Sequence, residues 1–198
     1  MKYLAIGTLR QWHWVSSALC LAGMLLFAVT GITLNHARVI EARATVSSTE
    51  TQLPDELQAL LPELAEGRAL PAPLRTWLRN ELGVRFKPEQ AEWSDGELYL
   101  GLPRPGGDAW LTLDLHTGEL FHESTDRGWI AYANDLHKGR HTGIAWSWFI
   151  DLFAVVCVVF SLTGLVLLQR QTRSRPATWP ITGLGLLIPV LIALLLIH

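Results

Sequence analysis

Cysteine is scarce in this chain, and neither copy is placed to build a framework. Only Cys20 and Cys157 occur, both inside apolar stretches, where a thiol acts as a small buried hydrophobe and not as half of a disulfide or metal pair. No Cys-x-x-Cys-His run is present, which excludes a covalently attached c-type haem. There is no glycine-rich fingerprint for a flavin or a nicotinamide, so neither is held in the usual way. Excess charge is missing too. Sixteen Lys+Arg against eighteen Asp+Glu leave a net charge of −2, and nothing in that balance points to nucleic acid.

Charge is also absent locally, in three long blocks. Trp14 to Leu34 carries none, Ile144 to Leu168 carries only Asp151, and Trp179 to Ile197 carries none. Each block is long enough to cross a hydrocarbon core of about 30 Å at about 1.5 Å per residue. A soluble fold could bury one such helix, but not three in so short a chain. The first block, with Lys2 and Arg10 before it, exceeds the usual signal-peptide core of about 7–15 residues. No small-x-small cleavage site follows it closely, so an uncleaved anchor is expected.

Basic residues set the expected orientation. The link between blocks two and three holds Arg170, Arg173 and Arg175 without an acid, and short loops of this kind stay in the cytoplasm. The N-terminus then lies inside, while the long middle segment and His198 lie outside. Trp12, Trp14, Trp146, Trp148 and Trp179 mark the block ends, at the depth where amphipathic rings prefer to sit.

The middle segment reads as a small α+β unit. Val39 to Thr51 is polar and is expected to be a tether. Leu53 to Leu64 has helical spacing between Pro54 and Gly67, and a second helix runs from Leu74 to Leu82, stopped by Gly83. Extended stretches at Gln90–Trp93 and Glu97–Leu102 flank Ser94-Asp95-Gly96. Another pair, Ala109–Leu115 and Leu120–Glu123, flanks His116-Thr117-Gly118. So small a unit has room for little core, and it is expected to lean on the helices or on a second copy.

Four of the seven histidines fall at block ends. His13 lies at the inner end of helix one and His36 at its outer end, about 34 Å away on a straight helix, too far to share a ligand. His137 and His141 precede helix two, at the outer depth of His36. Neutral imidazole is a good axial ligand for haem iron, and facing helices can supply one or two such donors. Gly31 and Gly143 would leave room for a flat macrocycle, and Arg38, Lys138 and Arg140 are placed to pair with its propionates. A Zn or Cu site at His137 and His141, four residues apart, is the competing metal reading. His116 and His122 read as surface residues. Asp151, a carboxylate within a membrane segment, is a functional candidate by its cost alone.

Several short runs carry a resemblance. Arg10-Gln11-Trp12-His13, Val29-Thr30-Gly31, Leu136-His137-Lys138-Gly139 and Leu162-Thr163-Gly164 resemble the PepSY-associated transmembrane helix family of bacterial inner-membrane proteins. Leu113 to Glu119 is similar to the strand-turn-strand signature of a PepSY module. The likeness covers roughly residues 10–168. It implies relatives that bind b-type haem and reduce ferric siderophores in the periplasm, with His13, His36 and His137 as haem ligands and His141 a weaker one. Larger members have a fourth helix and a further inner histidine. Here helix three opens with Thr178-Trp179-Pro180-Ile181, so an inner haem at His13 needs a ligand from a second copy or another subunit.

The expectation is therefore a multi-pass membrane protein of the bacterial inner membrane, with three transmembrane α-helices. A PepSY-like α+β periplasmic domain is inserted between helices one and two. Residues 1–36 hold the cytoplasmic N-terminus and helix one, 37–141 the domain, 142–169 helix two, 170–178 the basic loop and 179–198 helix three. The expected function is haem-b electron transfer to a ferric chelate or a periplasmic redox protein, with electrons from a partner or from quinol. Beside it stands a non-enzymatic PepSY module tethered to the membrane that binds or restrains a protein partner.

Overall fold

The computed structural model describes residues 7–40, 43–64, 70–87 and 90–197. Lys2, Gly67 and His198, expected as a charged flank, a helix boundary and an outer terminus, lie outside these residues. The chain divides into two compact units. One joins the residues up to Leu26 with those from Trp148 onward, and the other runs from Phe27 to Ser147.

Helices α1 (Leu9–Asn35), α5 (Ile144–Gln171) and α6 (Thr178–Leu196) coincide with the three apolar blocks and are 27, 28 and 19 residues long. Their large side chains, among them Leu19, Leu25, Leu152, Val155, Leu186 and Leu194, face outward unburied. A soluble protein hides such a surface, and lipid makes it stable here, since each helix satisfies its own backbone. Within the first unit α1 and α5 approach closely at Gly23. A Cβ built there would overlap the Phe153 ring, 2.9 Å from its Cζ. Small residues of this kind let membrane helices pack where no hydrophobic effect drives them together.

The second unit is built on a five-stranded antiparallel sheet that falls between α1 and α5 in the chain. Its order is β1-β5-β4-β3-β2, formed by β1 (Thr45–Gln52), β2 (Ala91–Ser94), β3 (Glu97–Gly101), β4 (Gly107–Asp114) and β5 (Glu119–Asp126). Glycines at positive φ, Gly96 and Gly118, make the two predicted hairpin turns. Leu98, Leu100, Leu111, Leu113 and Leu120 alternate onto one sheet face. With Leu74 and Leu78 of α3 (Ala72–Glu81), and with Leu53, Leu61, Leu70 and Val84, they form a buried core. The unit thus has a core of its own, larger than its length suggested.

Two local expectations need correction, and one helix is added to them. The expected tether is in part strand β1, paired to β5 from Thr45↔Asp126 to Gln52↔Glu119. Its residues are exposed on both faces apart from half-buried Thr51, so no hydrophobic alternation signals it, and β-branched Thr and Val favour the extended form. The expected helix over Leu53–Leu64 is only α2 (Asp55–Gln58) and a 3₁₀ turn at Leu61–Glu63, because Pro62 lacks the N–H that a continuing α-helix needs. Finally, an unforeseen helix α4 (Gly128–Lys138) precedes α5 and ends at Gly139 in the left-handed conformation, φ +66°.

Candidate functional site

Two histidines sit in matching sockets. In the first unit His13 on α1 places Nδ1 3.0 Å from Oγ1 of Thr163 on α5. Its ring stacks on Phe160, with centroids 4.9 Å apart and planes 12° from parallel. Gly164 lets it approach, since a Cβ there would stand 3.3 Å from His13 Cε1. In the second unit His137 on α4 places Nδ1 2.7 Å from Oγ1 of Thr30 on α1. Its ring packs against Phe27, with centroids again 4.9 Å apart and a tilt of 45°. Gly31 lies beside it, a built Cβ meeting Cε1 at 3.7 Å.

The sockets share a sequence. Phe27-Ala28-Val29-Thr30-Gly31 and Phe160-Ser161-Leu162-Thr163-Gly164 both read Phe-x-x-Thr-Gly. In a helix, positions i, i+3 and i+4 lie on one face, so ring, hydroxyl and gap are presented together. In the sequence alone the Thr-Gly pairs are only marks of a family, and neither the threonines nor the phenylalanines have a role. The repeat of Phe three residues before Thr-Gly was the available signal.

A second polar rung reinforces the His137 socket. Three residues on from Thr30, Thr33 Oγ1 lies 2.7 Å from the Asn134 side-chain amide, and Asn134 stands three residues before His137. Thr30, Asn134 and neighbouring Asp135 are all buried. Asp135 accepts hydrogen bonds from the backbone N–H of Gly106 (2.9 Å) and from Arg127 Nη2 (3.1 Å). It thereby fastens α4 to the loop before β4.

His36, just beyond α1, is exposed, and its Nδ1 lies 3.0 Å from the carbonyl oxygen of Ile32. A carbonyl can only accept, so Nδ1 is the donor of this contact and Nε2 takes no part in it. His141 is committed differently. It lies beyond α4 at φ +57°, and its Nε2 accepts from Arg140 Nε at 3.1 Å. The one helical face needed for a His137–His141 metal pair is not formed, because α4 stops at Lys138. Among the described residues no three His, Cys, Asp or Glu side chains converge as a metal-binding group.

Lys138 and Arg140 line a cavity of about 380 Å³ together with Arg43, Arg127, Leu34 and Trp129, while Arg38 is exposed on the turn after α1. Asp151 is exposed on α5, and Gly143, at φ +80°, has open space where a Cβ would be. In the sheet, desolvation on burial lowers the pKa of His122, and the Asp114 pKa is lowered mainly by hydrogen bonds from the backbone N–H groups of Thr117 and His116.

Three apolar spanning helices, an antiparallel sheet inserted after the first, and histidines seated against Thr-Gly pairs define a membrane protein of the PepSY-associated class. The chain belongs to the PepSY_TM-like family, whose profile matches residues 4–198. No curated protein and no solved structure matches it.

Proposed function

We propose that this chain is a haem-b electron-transfer protein of the bacterial inner membrane, with its sheet domain on the periplasmic side. The observation that carries the reading is the hydrogen bonding of three histidines. His13, His36 and His137 each engage Nδ1 with an oxygen of α1 or α5, and among the described residues none has a hydrogen-bond partner at Nε2. Iron-ligating histidines ordinarily have one ring nitrogen held by an oxygen acceptor and the other left to the metal. The apolar walls around His13 and His137, Phe160 and Phe27, suit a macrocycle that is itself apolar.

In this reading His36 and His137 hold an outer haem b, and His13 holds an inner one only when a second copy or a partner membrane subunit supplies the other ligand. His141, with Nε2 engaged, is the weaker ligand. Lys138 and Arg140 in the basic cavity, and Arg38 beside His36, are the cations for propionates. A bound haem would supply the one-electron couple, and the protein's own part is to hold the imidazoles, exclude water and balance charge. The basic link at Arg170, Arg173 and Arg175 supports a cytoplasmic N-terminus. Electrons would come from quinol or a partner and leave toward a periplasmic acceptor such as a ferric chelate or a redox protein.

A second reading, a tethered module that binds a protein partner, is favoured by the sheet face opposite the core. There Tyr99, Trp110 and Phe121 make a row of aromatic rings 6.3 and 5.0 Å apart, a composition typical of contact surfaces.

The test is a reduced-minus-oxidised absorption spectrum of the detergent-purified protein, expressed with ample haem, beside His13→Ala, His36→Ala and His137→Ala. A b-type spectrum that collapses in His36→Ala or His137→Ala is the expected result. One lost only in His13→Ala moves the site to the inner end. A protein without haem bands overturns electron transfer and leaves the tethered module.

A further inference from the structure

In a neutral imidazole one nitrogen carries the proton and the other the lone pair, and the neighbour of one decides the chemistry of both. Thr163 Oγ1 lies 2.7 Å from the carbonyl oxygen of Val159 and 3.0 Å from that of Phe160. Two oxygens at such distances repel unless a proton lies between them, and the carbonyls have none. The hydroxyl proton is therefore spent on the preceding turn of α5, and the side of Oγ1 that faces His13 can only accept. The Nδ1–Oγ1 contact at 3.0 Å is then Nδ1–H donating to threonine. Thr30 repeats the contact to its preceding turn through the carbonyl of Phe27, with the imidazole nearer than at Thr163. Its hydroxyl lies 3.1 Å from the carbonyl oxygen of Phe27 and 2.7 Å from His137 Nδ1.

We propose that Thr30 and Thr163 are positioning residues that fix His137 and His13 in the Nδ1–H tautomer, so that each ring presents Nε2 as its donor nitrogen. The phenylalanine of each Phe-x-x-Thr-Gly run packs against the ring, and at His13 the glycine also gives the ring its place. The device occurs twice, once on each of the two helices that pack through Gly23 and Phe153. Its presence at His13 makes that residue as fully prepared a ligand as His137. The tautomer is a property of the polypeptide alone. What it does to an iron centre rests on the haem reading above. There, a donated Nδ1–H makes the imidazole more basic and favours the oxidised metal.

The experiment uses the full chain with ¹⁵N-labelled histidine, purified without haem in detergent, at a pH above the imidazole range. Two-bond ¹H–¹⁵N correlations separate a protonated Nδ1 from a protonated Nε2. In the wild type, His13 and His137, assigned through His13→Gln and His137→Gln, are expected to show protonated Nδ1. Thr30→Val should move His137 alone toward the Nε2–H form that dominates for imidazole in water, and Thr163→Val should move His13 alone. Thr→Ser at each position should restore the original pattern, which a merely structural threonine would not explain. If either wild-type ring shows Nε2–H, or the valine variants keep the wild-type pattern, the proposal is overturned. Should a valine variant fail to fold, the wild-type and serine spectra still decide it by the same criterion. The haem-loaded protein gives the second readout, a midpoint potential that rises in Thr30→Val and returns in Thr30→Ser. A colourless protein with locked tautomers sinks the haem reading and leaves this one standing, whereas a red protein with unlocked tautomers does the reverse.

Discussion

Gly164 and His13 stand at the limit of ordinary contact, since a Cβ on Gly164 would lie 3.3 Å from Cε1 of the ring, whereas the corresponding distance from Gly31 to His137 is 3.7 Å. The two sockets share a sequence but not the same slack. Gly164→Ala should therefore displace the His13 ring from Phe160 and cost about 1–3 kcal/mol as overpacking, while Gly31→Ala should be close to neutral. Thermal melts of both variants in the same detergent, with the ¹⁵N shifts of His13 and His137, check this. Equal losses would show that the slack at Gly31 is not real.

The approach of α1 to α5 depends on a second glycine. A Cβ at Gly23 would fall within 2.9 Å of Phe153 Cζ and 3.2 Å of Cδ2. Gly23→Ala is expected to destabilise the helix pair by about 1–3 kcal/mol, and Phe153→Leu to recover most of that loss when combined with it. A double-mutant cycle on detergent melts measures the coupling. Additive losses would mean that the two residues do not meet.

Asp135 is a buried acid of the second unit with two partners to satisfy. Its side chain is 7 % exposed, and it takes both the Gly106 N–H and the Arg127 guanidinium. Asp135→Ala leaves the buried amide without a partner and frees one member of an ion pair, for a loss of roughly 3 kcal/mol. Asp135→Asn keeps an acceptor for Gly106 and should lose less. The order of the two variants in denaturant unfolding followed by tryptophan fluorescence tests the assignment, and Asn falling below Ala would refute it.

Two groups make the sheet domain sensitive to acid. Burial lowers the His122 pKa from its ordinary 6.5, so protons bind the unfolded chain first and stability falls as pH drops through and below that value. The Asp114 pKa is lowered from 3.8 by the Thr117 and His116 amides, so its contribution is present above the ordinary carboxylate range and is lost on further acidification. His122→Gln should flatten the upper limb of the pH–stability curve and Asp114→Ala the lower one. Melting temperatures measured from pH 8 to pH 3 show whether each limb belongs to its residue.

How much of this was legible in the sequence depended on whether the signal was local. The spans were readable because a run of about twenty mostly apolar residues, with at most the one charge of Asp151, matches the thickness of a bilayer. The hairpins were readable because Gly96 and Gly118 mark their turns. Strand β1 was hidden because an exposed edge strand needs no hydrophobic face. Its Thr-Val-Ser-Ser-Thr-Glu-Thr-Gln sequence is fixed by pairing to β5, which composition does not show. Helix α4 was hidden by glycine at both of its ends. The histidines could be picked out at the span ends, but the threonines that seat them could not. Thr30 meets a residue 107 positions away and Thr163 one 150 positions away, and a hydroxyl in an apolar helix looks idle until its partner arrives.

The pairing of β1 with β5 has a bearing on that distance. Thr45 faces Asp126 across the ladder, so once the sheet has formed, the chain from Thr30 to His137 is no longer a loop of 107 residues. It is a short circuit, up from α1 to Thr45, across one rung and down from Asp126 to α4. Closing that smaller ring is easier by roughly 1 kcal/mol of chain entropy. The sheet thus acts as a splice in the strap that holds His137 to α1. Loosening β1, whose pairing with β5 ends at Asp126, eleven residues before His137, would be felt at that imidazole.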